Sequence, residues 1–139
     1  MTSFQDISGQ QLVSAIAPLL EKELSAPPVW AHVVKTGQGK ERIPEQANWW
    51  YLRAASVLRT VALKGPIGVS KLRVRYSHKK NRGHQPGKYT LASGNILRKI
   101  LQQLETAGLV QHKKEGVHKG RVITPKGVKL LSGAVRVKA

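Results

Sequence analysis

The sequence predicts a mainly α-helical fold with one small β-hairpin. Two apolar stripes at helical spacing, over residues 49–64 and 93–107, predict the helices, and two short strand-like runs on either side of a turn at 115–120 predict the hairpin. A length of 139 residues suits a single domain with its own core.

Taken in order, Ser8-Gly-Gln-Gln11 fits a capping box, with Ser8 accepting from the backbone near Gln11 and Gln11 reaching back. Leu12, Ile16, Leu19 and Leu20 follow at helical spacing, so residues 9–24 are expected to be helical, with Pro18 kinking or dividing the helix. Pro27-Pro28 stops it. Residues 29–47 hold Gly37, Gly39 and Pro44 and read as an ordered loop pinned to the core by Trp30 and Val33. Asn48 is placed to cap a helix over 49–64, whose broad apolar side carries Trp50, Tyr51, Ala54, Ala55, Val57, Leu58, Val61 and Ala62. Trp49, Arg53, Ser56 and Thr60 fall on the other side, and the i,i+4 spacing predicts an Arg53 guanidinium against the Trp49 indole.

Gly65-Pro66 ends that helix. Residues 67–75 read as a short basic helix. Residues 76–89 have no apolar periodicity, two Gly and one Pro, and read as a long mobile loop. In residues 93–107 Ile96, Leu97, Ile100, Leu101, Leu104 and Ala107 share one face. Arg98, Lys99, Gln102 and Gln103 lie on the other, Ser93 stands at the N-cap and Gly108 follows the end. Residues 109–114 and 121–124 are the expected strands. Pro125 opens a short last helix with Val128, Leu130 and Leu131, and residues 132–139 are expected to be a loose basic tail.

This order, in which an amphipathic helix precedes a hairpin, is that of a winged helix-turn-helix over 48–131, with 1–47 as an N-terminal extension. In that architecture the third helix presents its polar face to nucleic acid and the hairpin is a wing.

Charge points the same way. The chain carries 24 Lys and Arg against 7 Asp and Glu, a net charge of +17. Residues 46–104 hold twelve of those cations and no acid. A one-sign surface repels itself, and a polyanion whose phosphates pair with Lys and Arg relieves that. Lys71, Arg73 and Arg75 precede the basic segment, which holds Lys79, Lys80, Arg82, His84 and Lys88. Arg98 and Lys99 follow on the helix, and Lys113, Lys114, Lys119 and Arg121 on the wing. A loop of this kind suits irregular RNA contacted by shape.

Other chemistries find little support. With no cysteine, disulfides and thiolate metal sites are excluded. His32, His78, His84, His112 and His118 show no ligand spacing, so no metal or other cofactor is expected. Asp6, Glu21, Glu23, Glu41, Glu45, Glu105 and Glu115 form no acid–base pair, no phosphate-cradling Gly-rich loop precedes Lys-Ser/Thr, and no enzymatic activity is expected. No apolar run is long enough for a membrane helix, and residues 1–6 lack a secretion signal, so a cytoplasmic protein is expected.

Several blocks carry a resemblance. Pro27-Pro-Val-Trp30, Val34-Lys-Thr-Gly37, Trp49-Trp-Tyr-Leu-Arg53-Ala-Ala-Ser and Gly65-Pro-Ile-Gly-Val-Ser70 occur in one register with Asn81-Arg-Gly83, Ser93-Gly-Asn-Ile-Leu-Arg-Lys-Ile-Leu-Gln-Gln-Leu-Glu105 and Arg121-Val-Ile-Thr-Pro-Lys-Gly127. Together, over about residues 29–129, they closely resemble small-subunit ribosomal protein nineteen of the archaeal and eukaryotic type. The resemblance implies a non-enzymatic winged-helix protein that binds ribosomal RNA in the head of the small subunit, beside neighbouring head proteins, and supports RNA maturation. It also implies RNA-facing roles for Trp49, Arg53, Arg59, Arg98, Lys99, Asn81, Arg82 and Gly83. Two places depart from the family pattern. Ser77-His78 stand where a Gly-Gly-like pair is expected, and the last segment is basic where the family has a long amphipathic helix. From the residues alone, a winged-helix DNA-binding regulator and a module for an acidic protein partner are the alternatives.

Overall fold

The computed structural model describes residues 3–138; Met1 and Thr2 of the N-terminal start, and Ala139 of the basic tail, lie outside them. The elements are α1 (Gly9–Glu23), a 3-10 turn (Val29–His32), α2 (Trp49–Lys64), α3 (Val69–Arg75), β1 (His78–Arg82), β2 (Gln85–Thr90), α4 (Gly94–Thr106), β3 (Val110–Lys113), β4 (Gly120–Ile123) and α5 (Pro125–Lys138).

The core is built on α2, whose Trp50, Ala54, Ala55, Val57, Leu58 and Val61 are buried. α1 brings Leu12, Ile16 and Leu20 against it, and α4 brings Ile96, Leu97, Ile100, Leu101 and Leu104. Burying each large apolar side chain stabilises by about 1.5–3 kcal/mol, so the stripes that predict these helices also hold them together. Thr60, on the side of α2 expected to be polar, is only 4% exposed. Its hydroxyl donates to the Ser56 carbonyl at 2.9 Å, which removes the burial penalty.

One polar tie crosses the core. The Trp50 indole N–H donates to Gln103 Oε1 at 2.8 Å, and Gln103 Nε2 donates to the Ala26 carbonyl at 3.2 Å. Trp30 and Trp49 both meet Trp50 edge-on, at centroid distances of 5.9 and 5.5 Å. The wing, β3–β4, is fastened at a second point. Ile67 and Arg121 exchange backbone hydrogen bonds of 3.2 and 2.9 Å, an isolated antiparallel bridge that fastens β4 to the segment between α2 and α3. Gly120 permits this approach: a Cβ there would lie 2.8 Å from Ile67 backbone atoms.

The structure corrects the sequence reading in several places. Residues 76–89 are an antiparallel hairpin, registered from His78↔Thr90 to Arg82↔Gln85. Both of its faces are largely solvated, so no apolar alternation marks it. Gly83, at φ 70, opens the two-residue turn. The register shifts between Lys80 and Arg82, opposite Pro86 and Gly87, where a proline costs the ladder nothing. The expected loose tail is the continuation of α5, with Ala134 and Val135 each 2% exposed. This also removes the apparent departure from an amphipathic last helix. Val33 is 75% exposed and pins nothing; Ala31 and Val34 turn inward beside Trp30 instead.

α1 runs unbroken through Pro18, which faces solvent, where water can replace the lost hydrogen bond. Ser8 caps it, accepting from Gln11 N at 3.3 Å. Asn48 and Ser93 stand at the expected N-cap positions, but neither side chain makes a cap bond. Asn48 has a compact rather than extended backbone (φ −96, ψ 21), which explains its failure to cap, whereas Ser93 has the extended backbone usual at an N-cap and nothing in the structure explains its missing bond.

Gly120→Ala is expected to lower stability by about 1–3 kcal/mol, because Cβ and the Ile67 backbone cannot both keep their places. An unchanged urea midpoint would show that the wing is not fastened there. Gln103→Leu leaves the indole N–H of Trp50 buried without a partner and is expected to cost about 1–3 kcal/mol in the same assay.

Candidate nucleic-acid interface

The predicted contact residues divide into those that face solvent and those held by the fold. On α3, Lys71 and Arg75 are exposed. Arg73 folds back: its Nε donates to the Ala92 carbonyl at 2.9 Å, and its side chain lies where a Cβ on Gly94 would stand. Arg73 therefore joins α3 to the start of α4.

On the β1–β2 hairpin, Lys79, Asn81, Arg82, Gly83, His84 and Lys88 are exposed and Lys80 is half-buried. Asn81 Oδ1 accepts from Gly83 N at 3.0 Å, closing an Asx turn at the tip, and Arg82 donates to Gln85 across it. The ribbon is thus an ordered basic arm. Its base is wedged by His78, whose ring fills the space a side chain at Gly37 or Gly39 would need.

On α4, Arg98, Lys99 and Gln102 are exposed along the polar face. Gln103, expected beside them, turns inward to Trp50. On the wing, Lys113, Lys114 and Lys119 are exposed, whereas Arg121 is half-buried with Nε 3.4 Å from Glu105 Oε1. That ion pair lacks hydrogen-bond alignment at Nε, since the same atom is buried without a hydrogen-bond partner.

The α2 residues behave differently from expectation. Arg53 does not stack on Trp49; its guanidinium lies 4.3 Å over the Tyr76 ring, at the base of the hairpin. Burial lowers its pKa from the ordinary arginine value, with Tyr76 acting in the opposite direction. The Tyr76 hydroxyl is in turn 2.6 Å from Ser56 Oγ. Trp49 is half-buried and lines a surface cleft. Arg59 is half-buried against the start of α1: its guanidinium occupies the space a Cβ on Gly9 would meet, and its Nε is buried without a partner. It positions α1 on α2.

Short-range ties draw several of these elements together. Gly37 bridges Ala92, Thr36 accepts from Ser93, Arg73 reaches Ala92, and Arg53 reaches Tyr76. The N-terminal halves of α2 and α4 and the base of the ribbon therefore form one region. Among the described residues the ion pairs are Arg121–Glu105 and Lys126–Glu23. The cations of the ribbon and of the α4 face thus have no carboxylate partner.

A family model described as ribosomal protein S19e matches residues 3–137. The chain belongs to the ribosomal protein S19e family. S19e proteins are structural and non-enzymatic. The small ribosomal subunit protein eS19 of Aeropyrum pernix is 41% identical over 139 residues, covering 98% of this chain and 89% of its own. That of Haloarcula marismortui is 41% identical over 140 residues, covering 94% and 87%. Small ribosomal subunit protein eS19G of Ascaris suum is 39% identical over 129 residues, covering 92% and 86%.

The division into free and tied arginines has a measurable consequence. Arg98→Ala is expected to change unfolding free energy by less than about 0.5 kcal/mol. Arg73→Ala, which removes the bond to Ala92 O, is expected to cost about 1 kcal/mol. Urea denaturation separates the two, and equal losses would show that Arg98 is also held by the fold.

Proposed function

We propose that this S19e-family protein is a structural constituent of the small ribosomal subunit that binds ribosomal RNA in the head and supports subunit assembly and RNA maturation. The observation that carries this reading is the acid-free run of residues 46–104, whose ribbon and α4 cations have no carboxylate partner. Its partners on this reading are ribosomal RNA and neighbouring head proteins, which it meets as a monomer in the cytoplasm and away from membranes. The names of its relatives support the same assignment.

The mechanism follows from the chemistry of the free cations. Long-range attraction brings the protein to RNA, and release of counterions from each neutralised phosphate drives binding. Arginine forks such as Arg98 then make charge-assisted, directional hydrogen bonds. α4 supplies a rigid axis for Arg98 and Lys99, and the ribbon carries Lys79, Lys80, Arg82 and Lys88 outward to follow an irregular RNA surface.

Sedimentation of a native lysate through a high-salt gradient tests this. Stoichiometric comigration with the small subunit, lost after ribonuclease digestion, is expected. Arg98→Glu should leave the free fold intact, reduce incorporation, and lower the salt dependence of RNA binding by about one phosphate's worth of counterion release. Incorporation equal to wild type would place the contact face elsewhere. A protein that stayed at the top of the gradient at every salt concentration would remove the ribosomal reading.

A further inference from the structure

A cleft of about 360 Å³ lies between the segment before α2 and the first turns of that helix. We propose that it receives a single unpaired nucleotide of ribosomal RNA, with the base stacked on Trp49 and the phosphate held by Lys40 and Arg42. The proposal rests on the RNA-binding reading above and deepens it.

The walls have the composition a nucleotide needs. Trp49, Pro44 and Leu52 supply flat and apolar surface for a base. Thr36 and Gln46 add a hydroxyl and an amide residue to the lining, and Ser56 adds a hydroxyl shared with Tyr76, chemistry that suits the polar edge of a base or a ribose. Lys40, Arg42 and Arg53 bring positive charge. Glu41 and Glu45 alternate with these residues in sequence but do not line the cleft. A volume of this size falls in the range of roughly 300–1,000 Å³ typical of small-ligand sites.

The Trp49 and Thr36 side of the cleft is preformed, whereas the Lys40 and Arg42 side chains on the opposite lip are exposed. Trp49 is fixed edge-on to Trp50 with the rings at 74°, and Trp50 is itself locked by Gln103. Thr36 is held by the Ser93 N–H, Gly37 by its bridge to Ala92, and Lys40 N donates to Gly37 O at 3.3 Å. The His78 ring packs so closely on Gly37 and Gly39 that a Cβ at either would lie 2.7 or 2.6 Å from it. The stacking wall therefore needs little ordering on binding, and the ordering cost falls on the Lys40 and Arg42 side chains. Arg53 adds a second argument. It is half-buried, stacked on Tyr76, and no carboxylate stands against it, so an incoming anion would offset its desolvation.

The stacking surface also selects the partner. A base inside a duplex cannot present its face to Trp49, so the occupant must be a bulged, looped or extruded nucleotide. A wider cavity of about 520 Å³ between the end of α2 and α3 offers Pro66, Ile67 and Val74 but no aromatic ring. It has no platform for a base.

Ultraviolet crosslinking of native small subunits, read by mass spectrometry, tests the assignment. A one-nucleotide adduct is expected on the peptide containing Trp49, at a nucleotide that chemical probing finds unpaired. Adducts on α4 or the β1–β2 ribbon with none at Trp49 would overturn the cleft while leaving the RNA-binding reading intact. An adduct at Trp49 to a duplex nucleotide would overturn it as well. No RNA adduct anywhere on the chain would defeat both readings.

Binding to deproteinised small-subunit ribosomal RNA gives a second measurement. Trp49→Leu, with its fold verified by urea denaturation, should weaken affinity about 5- to 150-fold, as expected when one stacked base loses its platform, while Trp49→Phe retains most of it. Lys40→Ala with Arg42→Ala should lower the salt slope by roughly 0.7 for each phosphate no longer neutralised. Affinity unchanged in Trp49→Leu would sink the proposal.

Discussion

The hydrogen bond from the Trp50 indole to Gln103 is the interaction on which the arrangement of basic elements depends. It is neutral, lies at the edge of the core, and is continued to the Ala26 carbonyl, so one amide ties α2, α4 and the segment after α1 together. Trp30 and Trp49 take their orientations from the same indole. Because core and tie are uncharged, the fold spends only Arg121 and Lys126 on ion pairs among the described residues. Most of the remaining cations stay outside, at a cost in self-repulsion that the apolar stripes of α1, α2 and α4 offset.

Arginine and lysine divide the labour along physical lines. Arg53, Arg59, Arg73 and Arg121 are the cations drawn into the fold, against Tyr76, Gly9, Ala92 and Glu105 respectively. A planar, weakly hydrated guanidinium can lie on a ring or bond a carbonyl while half-buried; a compact ammonium cannot do so without a larger desolvation penalty. The lysines of the candidate interface point outward, with only Lys80 half-buried. A count of positive residues thus overstates the free surface, because several of its arginines act as internal braces.

Most of the fold was legible because α2 and α4 carry one-sided apolar periodicity, and α3 followed from the turn at Gly65. The hairpin over 76–89 was not, since a ribbon solvated on both faces has no burial pattern to write into its residues. The end of α5 was hidden by its basic composition, although Leu131, Ala134 and Val135 recur at helical spacing. For the candidate interface, charge marked cations that the structure leaves exposed on the ribbon and the outer face of α4. Nothing in the local sequence distinguishes Gln103 from Gln102, or shows that Arg53 leaves Trp49 for a tyrosine more than twenty residues away. Those assignments are tertiary, fixed by how α2, α4 and the ribbon base meet.

The β1–β2 ribbon meets the body at its base, where His78 and Thr90 pack against Gly37 and Gly39 and Tyr76 lies against Arg53, and most of its remaining residues are exposed. Two isolated strands are only marginally stable on their own. In the free protein the ribbon is therefore the unit that opens first, with an opening free energy far below that of the core, and its amides exchange hydrogen while those of α2 and α4 remain protected. The free chain thus combines a rigid trunk with an arm whose order is the easiest to lose.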